Sequence, residues 1–195
     1  MQQFKKIVAI GPESTGKSTL CTQLAKHYNS VWVEEYAREY LLKNGTDYTF
    51  ETLLDIAKGQ LDLEDESLQK FQELRIKNQE VNERRLITVD RPPVFIDTDM
   101  YIMKVWCEFV FNECHNWILN KIVERKYDLY LLCNVDLSWV KDELREYPDL
   151  KTREKLYHIY KDILINQNIP WVDISGNYDE RLKKAIEATD KILQS

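Results

Sequence analysis

The stretch Gly11-Pro12-Glu13-Ser14-Thr15-Gly16-Lys17-Ser18-Thr19 constrains this chain more than any other. It meets the spacing G-x-x-x-x-G-K-[ST] in full, after the apolar run Ile7-Val8-Ala9-Ile10 and before a segment with Leu20, Leu24 and Tyr28 at helical spacing. Strand, loop and helix signals coincide in the order a phosphate-binding loop requires. Gly11 and Gly16 permit backbone conformations and close approaches that a Cβ would block, so successive N–H groups can turn inward around an anion. The helix starting near Lys17 adds unpaired N–H groups and the positive end of its dipole. In this reading Lys17 reaches the outer phosphates and the Ser18 hydroxyl ligates Mg²⁺.

The rest of the chain alternates strand and helix signals. Phe4 to Ile10, Val31 to Val33, Val94 to Ile96, Leu129 to Cys133 and Pro170 to Ile174 read as buried strands. Helices are expected up to Lys43, stopped by Asn44-Gly45, then from Thr49 to about Arg85 as two helices or one with a bend, and at about 100–111, 114–125, 153–166 and the C-terminus. Glu64-Asp65-Glu66 reads as a solvated face. Leu86 to Val89 is ambiguous between strand and helix. The polar run from Asn134 to Thr152 lacks helix caps and reads as a mobile excursion, a lid over about 134–152. The expectation is one α/β domain over 1–195, with a mostly parallel five-stranded sheet and helices on both faces.

Composition narrows the function classes. A net charge of −6 offers no basic field for nucleic acid. Cys21, Cys107, Cys114 and Cys133 form neither a disulfide framework nor a zinc pattern, and no eighteen-residue apolar run or leader is present, so a reduced, cytoplasmic setting without membrane or nucleic-acid partners is expected.

In an open parallel sheet, residues just past the strand ends converge on one crevice. That places the loop beside Glu34-Glu35, Asp97-Thr98-Asp99, Asn134-Val135-Asp136 and Ser175-Gly176-Asn177, with Gly176 on the nucleotide side. Asp97 ends an apolar strand, as a carboxylate serving Mg²⁺ does. Asp99 suits either a helix cap or a substrate hydroxyl. Glu34 or Glu35 could take a proton from an attacking hydroxyl, and strand-end neighbours point opposite ways, so one of them faces inward. Arg38 suits a phosphate or that carboxylate, and Arg145 and Arg153 flank the excursion as candidate lid arginines. Trp32, Tyr36, Tyr101 and Trp106 suit either an aromatic wall or the core.

Taken together, G-P-E-S-T-G-K-S-T (Gly11 to Thr19), E-Y-A-R-E (Glu35 to Glu39), I-A-K-G-Q (Ile56 to Gln60), F-I-D-T-D (Phe95 to Asp99) and W-V-K-D-E-L-R (Trp139 to Arg145) resemble the ribosylnicotinamide kinase domain of NadR-type proteins, a branch of the P-loop nucleoside kinases. The resemblance implies a three-layer P-loop NTPase fold and ATP-dependent phosphorylation of nicotinamide riboside. It implies ATP at Gly11, Glu13, Ser14, Thr15, Gly16, Lys17, Ser18, Thr19 and Arg145, with Mg²⁺ at Ser18 and Asp97. It also implies Glu35 rather than Glu34 as the inward carboxylate, and Glu35, Arg38, Gln60, Asp97 and Asp99 on the nucleoside side. Lys17, Glu35, Asp97 and Arg145 would carry the chemistry. Glu143 departs from the family, which commonly has glycine there. His27, His115 and His158 form no H-x-G-H pair for adenylyl transfer, and a stand-alone kinase is expected. The competing reading is an ATPase switch with no small acceptor; a GTPase is disfavoured because Asn134-Val135-Asp136 lacks the lysine of N-K-x-D.

Overall fold

The computed structural model describes residues 4–81 and 91–194, so Leu86 to Val89 lies outside the described residues. Five strands form one sheet in the order β2-β3-β1-β4-β5: β1 (Lys5–Ile10), β2 (Trp32–Val33), β3 (Pro93–Asp97), β4 (Leu129–Cys133) and β5 (Trp171–Ile174). All four pairings are parallel, which turns the expected mostly parallel sheet into a wholly parallel one. Helices α1 (Lys17–His27), α2 (Tyr36–Asn44), α3 (Phe50–Val81), α4 (Met100–Phe111), α5 (Asn116–Glu124), α6 (Leu150–Ile165) and α7 (Tyr178–Leu193) complete the described residues.

Alternation along the central strands splits the core into layers. Ile7 and Ala9 of β1 pack with Leu20 and Leu24 of α1 and Ala185 and Ala188 of α7. Val8 and Ile10, pointing the other way, pack with Ile102 and Val105 of α4 and Leu156 and Tyr160 of α6. A third cluster, built from α2, α3, α4 and α5 around Leu41, Leu53, Ile56, Met103 and Ile118, widens the molecule beyond the sheet.

Of the alternatives for the run from Thr49, the described part, Phe50–Val81, is a single helix. Two expectations are corrected. Helix α6 begins at Leu150, three residues before the expected start, because the Asp149 side chain accepts the Thr152 N–H at 2.7 Å and caps it. Glu64 is fully buried rather than solvated. It accepts from Lys6 Nζ at 2.9 Å and from the Tyr127 hydroxyl at 3.0 Å, tying α3 to the start of β1.

Candidate functional site

The loop that follows β1 is held in shape by its carbonyls. Pro12 C=O accepts from the Thr15 hydroxyl at 2.7 Å and from Lys17 Nζ at 2.9 Å. Ser14 C=O accepts from Arg153 at 3.2 Å and Thr15 C=O from Arg181 at 2.9 Å. With its carbonyls drawn to cations and a hydroxyl, the loop is free to turn N–H groups toward an anion. Gly11 is at φ +141°, where a Cβ would stand 2.7 Å from the Cys133 carbonyl oxygen of β4, so this position tolerates no side chain.

Arg181, on α7, was not singled out by sequence. It is buried, and besides Thr15 it donates to Gly176 C=O at 2.7 Å, to Asn134 C=O at 2.9 Å and to the Asp136 carboxylate. One guanidinium thus joins the phosphate loop to the ends of β4 and β5. Gly176 is part of this brace: its N–H donates to Asp136 at 2.6 Å, and it does not line the cleft.

The cleft is a cavity of about 990 Å³ running from the loop, Gly11 through Thr19, to a far wall formed by α2, α3 and α4. Glu13, Glu34, Glu35, Arg38, Asp97 and Arg145 line it, and so do Trp32, Tyr36, Tyr48, Trp106, Phe109 and Tyr147. Tyr101, Asp99 and Gln60 do not. Asp99 instead caps α4, accepting from the N–H groups of Tyr101 and Ile102 and from the Tyr130 hydroxyl at 2.8 Å. Gln60 is bonded to the backbone of Glu34 and Tyr36.

Of the two adjacent glutamates, Glu34 is exposed and Glu35 half-buried. Burial, and then the negative charge of Asp97, push Glu35 up to about 7, against the pull of Lys17. Asp97 is itself fully buried, and burial raises its pKa while Lys17 opposes the shift. Both Asp97 oxygens lack a hydrogen-bond partner among the described residues. Ser18 lies close enough to favour the ionised form of Asp97, though the pair makes no well-formed hydrogen bond. A buried hard-oxygen donor left open beside a hydroxyl fits Mg²⁺, which takes one or two protein ligands and completes its shell with water and phosphate oxygens. Thr98, between the two aspartates, is held at φ 97° with its buried hydroxyl also unpartnered, a strained position for a β-branched residue.

The segment from 134 to 149 closes one side of the cleft through bonds to both of its walls. Glu13 accepts the N–H groups of Glu146 at 3.0 Å and Tyr147 at 3.2 Å, and Ser14 Oγ accepts from Val140 N–H at 3.0 Å. Across the cleft, Arg38 makes a two-pronged pair with Asp142, at 2.9 and 3.3 Å, and the Tyr48 hydroxyl donates to Glu146 at 2.8 Å. Arg145 reaches Val140 C=O at 2.5 Å and Ser14 Oγ at 3.4 Å, beside the loop. Arg153 belongs under the loop: it is buried, and its guanidinium stacks 5.5 Å from the Trp139 ring. Asp142, Tyr48 and Glu146 are further cleft residues that sequence did not single out. Asp142 sits inside the Trp139-to-Arg145 stretch, but nothing local to it names Arg38 as its partner.

Comparison with known proteins agrees with this architecture. The AAA domain family matches residues 6–181. The trifunctional NAD biosynthesis/regulator protein NadR of Salmonella typhimurium (strain LT2) is 27% identical over 193 residues, covering 97% of this chain and 43% of the relative. NadR of Escherichia coli (strain K12) is 28% identical over the same shares. The chain therefore spans less than half the length of the curated relatives it matches. A solved NadR protein in complex with NR superposes with a TM-score of 0.71 at 21% identity, over 99% of this chain and 50% of that one. Deoxyadenosine kinase from M. mycoides, with dCMP and dCDP bound, gives 0.59 at 14% identity over 95% and 99%. These likenesses establish a three-layer α/β P-loop fold, and with a match running from β1 to Arg181 the chain belongs to the AAA domain family.

Proposed function

We propose that this chain is an ATP-dependent nucleoside kinase that phosphorylates nicotinamide riboside to nicotinamide mononucleotide. The observation that carries the reading is the make-up of the cleft: a phosphate loop at one end opens onto an acceptor side walled by acids and aromatic rings. Glu13, Glu34, Glu35, Glu39, Asp97, Asp142, Glu143 and Glu146 line the cavity against only Lys17, Arg38 and Arg145. Arg38 is paired with Asp142, which removes most of its claim on an anion. Among nucleosides, one with a cationic pyridinium ring gains most from such a wall, through charge and through stacking on Tyr48, Trp106 or Phe109. The resemblance to NadR points the same way.

In the reaction the 5′-hydroxyl attacks the γ-phosphorus, the bond from that phosphorus to the β–γ bridging oxygen breaks, ADP leaves, and the hydroxyl proton passes to Glu35. Lys17 leaves Pro12 C=O for the phosphates, and the loop N–H groups hold them in line. Ser18 and Asp97 would hold Mg²⁺, which supplies charge neutralisation on the phosphates when bound. We read 134–149 as a lid whose Arg145 closes over the transferring group, excluding water.

The test is ADP release with and without nicotinamide riboside, read together with product mass over a nucleoside panel. Release that depends on the riboside, a product heavier by one phosphoryl group, and weaker turnover of neutral pyrimidine and purine nucleosides are expected. ADP release indifferent to every nucleoside would overturn the reading in favour of an ATPase switch.

A further inference from the structure

Gln60 of α3 is buried, stands outside the cleft wall, and spends its whole amide on one turn of backbone. Its Oε1 accepts the Tyr36 N–H at 2.8 Å and its Nε2 donates to the Glu34 C=O at 3.0 Å. These two groups flank Glu35. Neither has a place in regular structure: β2 ends at Val33, and the N–H of Tyr36, first residue of α2, is one of the donors a helix start leaves unpaired. The partners also fix the amide's orientation, since one is a donor and the other an acceptor. One residue earlier, Gly59 gives the Tyr36 ring its seat, because a Cβ there would lie 2.1 Å from Tyr36 Cε1. Residue 36 is thus held through backbone and ring by adjacent residues of a helix that joins the walls of the molecule.

We infer that Gln60 is a positioning residue, an amide clamp that aims the Glu35 carboxylate into the cleft and does not itself touch the nucleoside. An amide suits the task because it carries a neutral donor and a neutral acceptor side by side. A carboxylate at the same place would lose the bond to Glu34 and set another negative charge near Glu35. The inference rests on Glu35 serving the acceptor hydroxyl, and the experiment separates the two.

Gln60→Leu removes both bonds at similar size, and Gln60→Glu keeps only the acceptor. Displacing a reacting group by a fraction of an ångström to an ångström costs roughly ten- to a hundredfold in turnover. The expected result is a loss of kcat of that order in Gln60→Leu and a smaller loss in Gln60→Glu, with KM for ATP and nucleoside within about twofold of the parent. In the double variant Glu35→Gln/Gln60→Leu, kcat should be no lower than in Glu35→Gln alone, since the clamp acts through Glu35. A nucleoside KM raised tenfold at unchanged kcat would show that Gln60 contacts substrate, and a fall in Tm with kcat intact would show a purely structural role; either overturns the inference. If Gln60→Leu fails to fold, Gln60→Glu and its double variant with Glu35→Gln decide by the same criteria. A slow Glu35→Gln with fully additive losses in the double variant sinks the clamp alone, whereas a fully active Glu35→Gln sinks the role of Glu35 whatever Gln60 does.

Discussion

Glu35 shows how burial can bring the ionisation of a carboxylate near neutral pH, as the proposed role of proton acceptor requires. Burial and the charge of Asp97 raise it from its ordinary 4.5 to about 7. A proton acceptor must be ionised before it acts, so kcat/KM for the nucleoside is expected to rise with pH about a midpoint near 7, and Glu35→Gln should flatten that limb. Stability runs the other way. The folded state holds this proton more tightly than the unfolded chain, so the contribution is complete below about pH 4.5 and is lost as pH rises through about 7. Relative to Glu35→Gln, the parent's Tm should therefore fall between pH 5 and pH 8. Which single residues were legible in sequence follows from where their partners lie. Asp97 was, because it closes an apolar run that could only be a buried strand. The cap made by Asp99 was legible as one of two uses. The work of Gln60 was not, because its partners are 24 and 26 residues away in sequence.

Among the elements, the phosphate loop was readable to the residue, and what braces it was not. The loop's spacing is local, whereas Arg181 reaches it from 166 residues away. Each charge-assisted bond it makes contributes about 1.5–3 kcal/mol, and they fall on the loop and on the ends of β4 and β5 together. Arg181→Met keeps much of the buried stem and loses every donor. It should raise KM for ATP about tenfold or more and leave the nucleoside KM within about twofold, measured by initial rates with each substrate varied. The boundary of α6 was misread for a related reason. The run before it looks polar and capless until Asp149 is recognised as the cap, and only the Thr152 N–H above it settles that use. Helix α3 was legible as helix, and its continuity from Phe50 to Val81 was not, because no local signal distinguishes one long helix from two in that run.

At the scale of the whole molecule, the order of layers was legible because near-continuous apolar strands separated by helices are what a parallel sheet covered on both faces requires. Buried charge was not, because a Glu-Asp-Glu run has the composition of a solvated surface. Lys6 and Glu64 nonetheless meet inside the protein, with the Tyr127 ring 4.6 Å from the ammonium. Removing one partner strands the other, so Glu64→Leu is expected to cost about 3–5 kcal/mol in urea unfolding. Lys6→Met/Glu64→Leu/Tyr127→Phe should recover most of that loss, because it removes both charges together with the hydroxyl that donates to Glu64.

The proposed lid has a consequence of another kind. Glu13 and Ser14 grip it from the phosphate-loop wall and Arg38 and Tyr48 from the opposite wall, so one short segment answers to both. A nucleotide that moves this segment alters the affinity of the opposite wall for its own ligand. By linkage, the nucleoside must then alter nucleotide affinity by the same factor. On the proposed function, the two substrates converse through this one strip of chain.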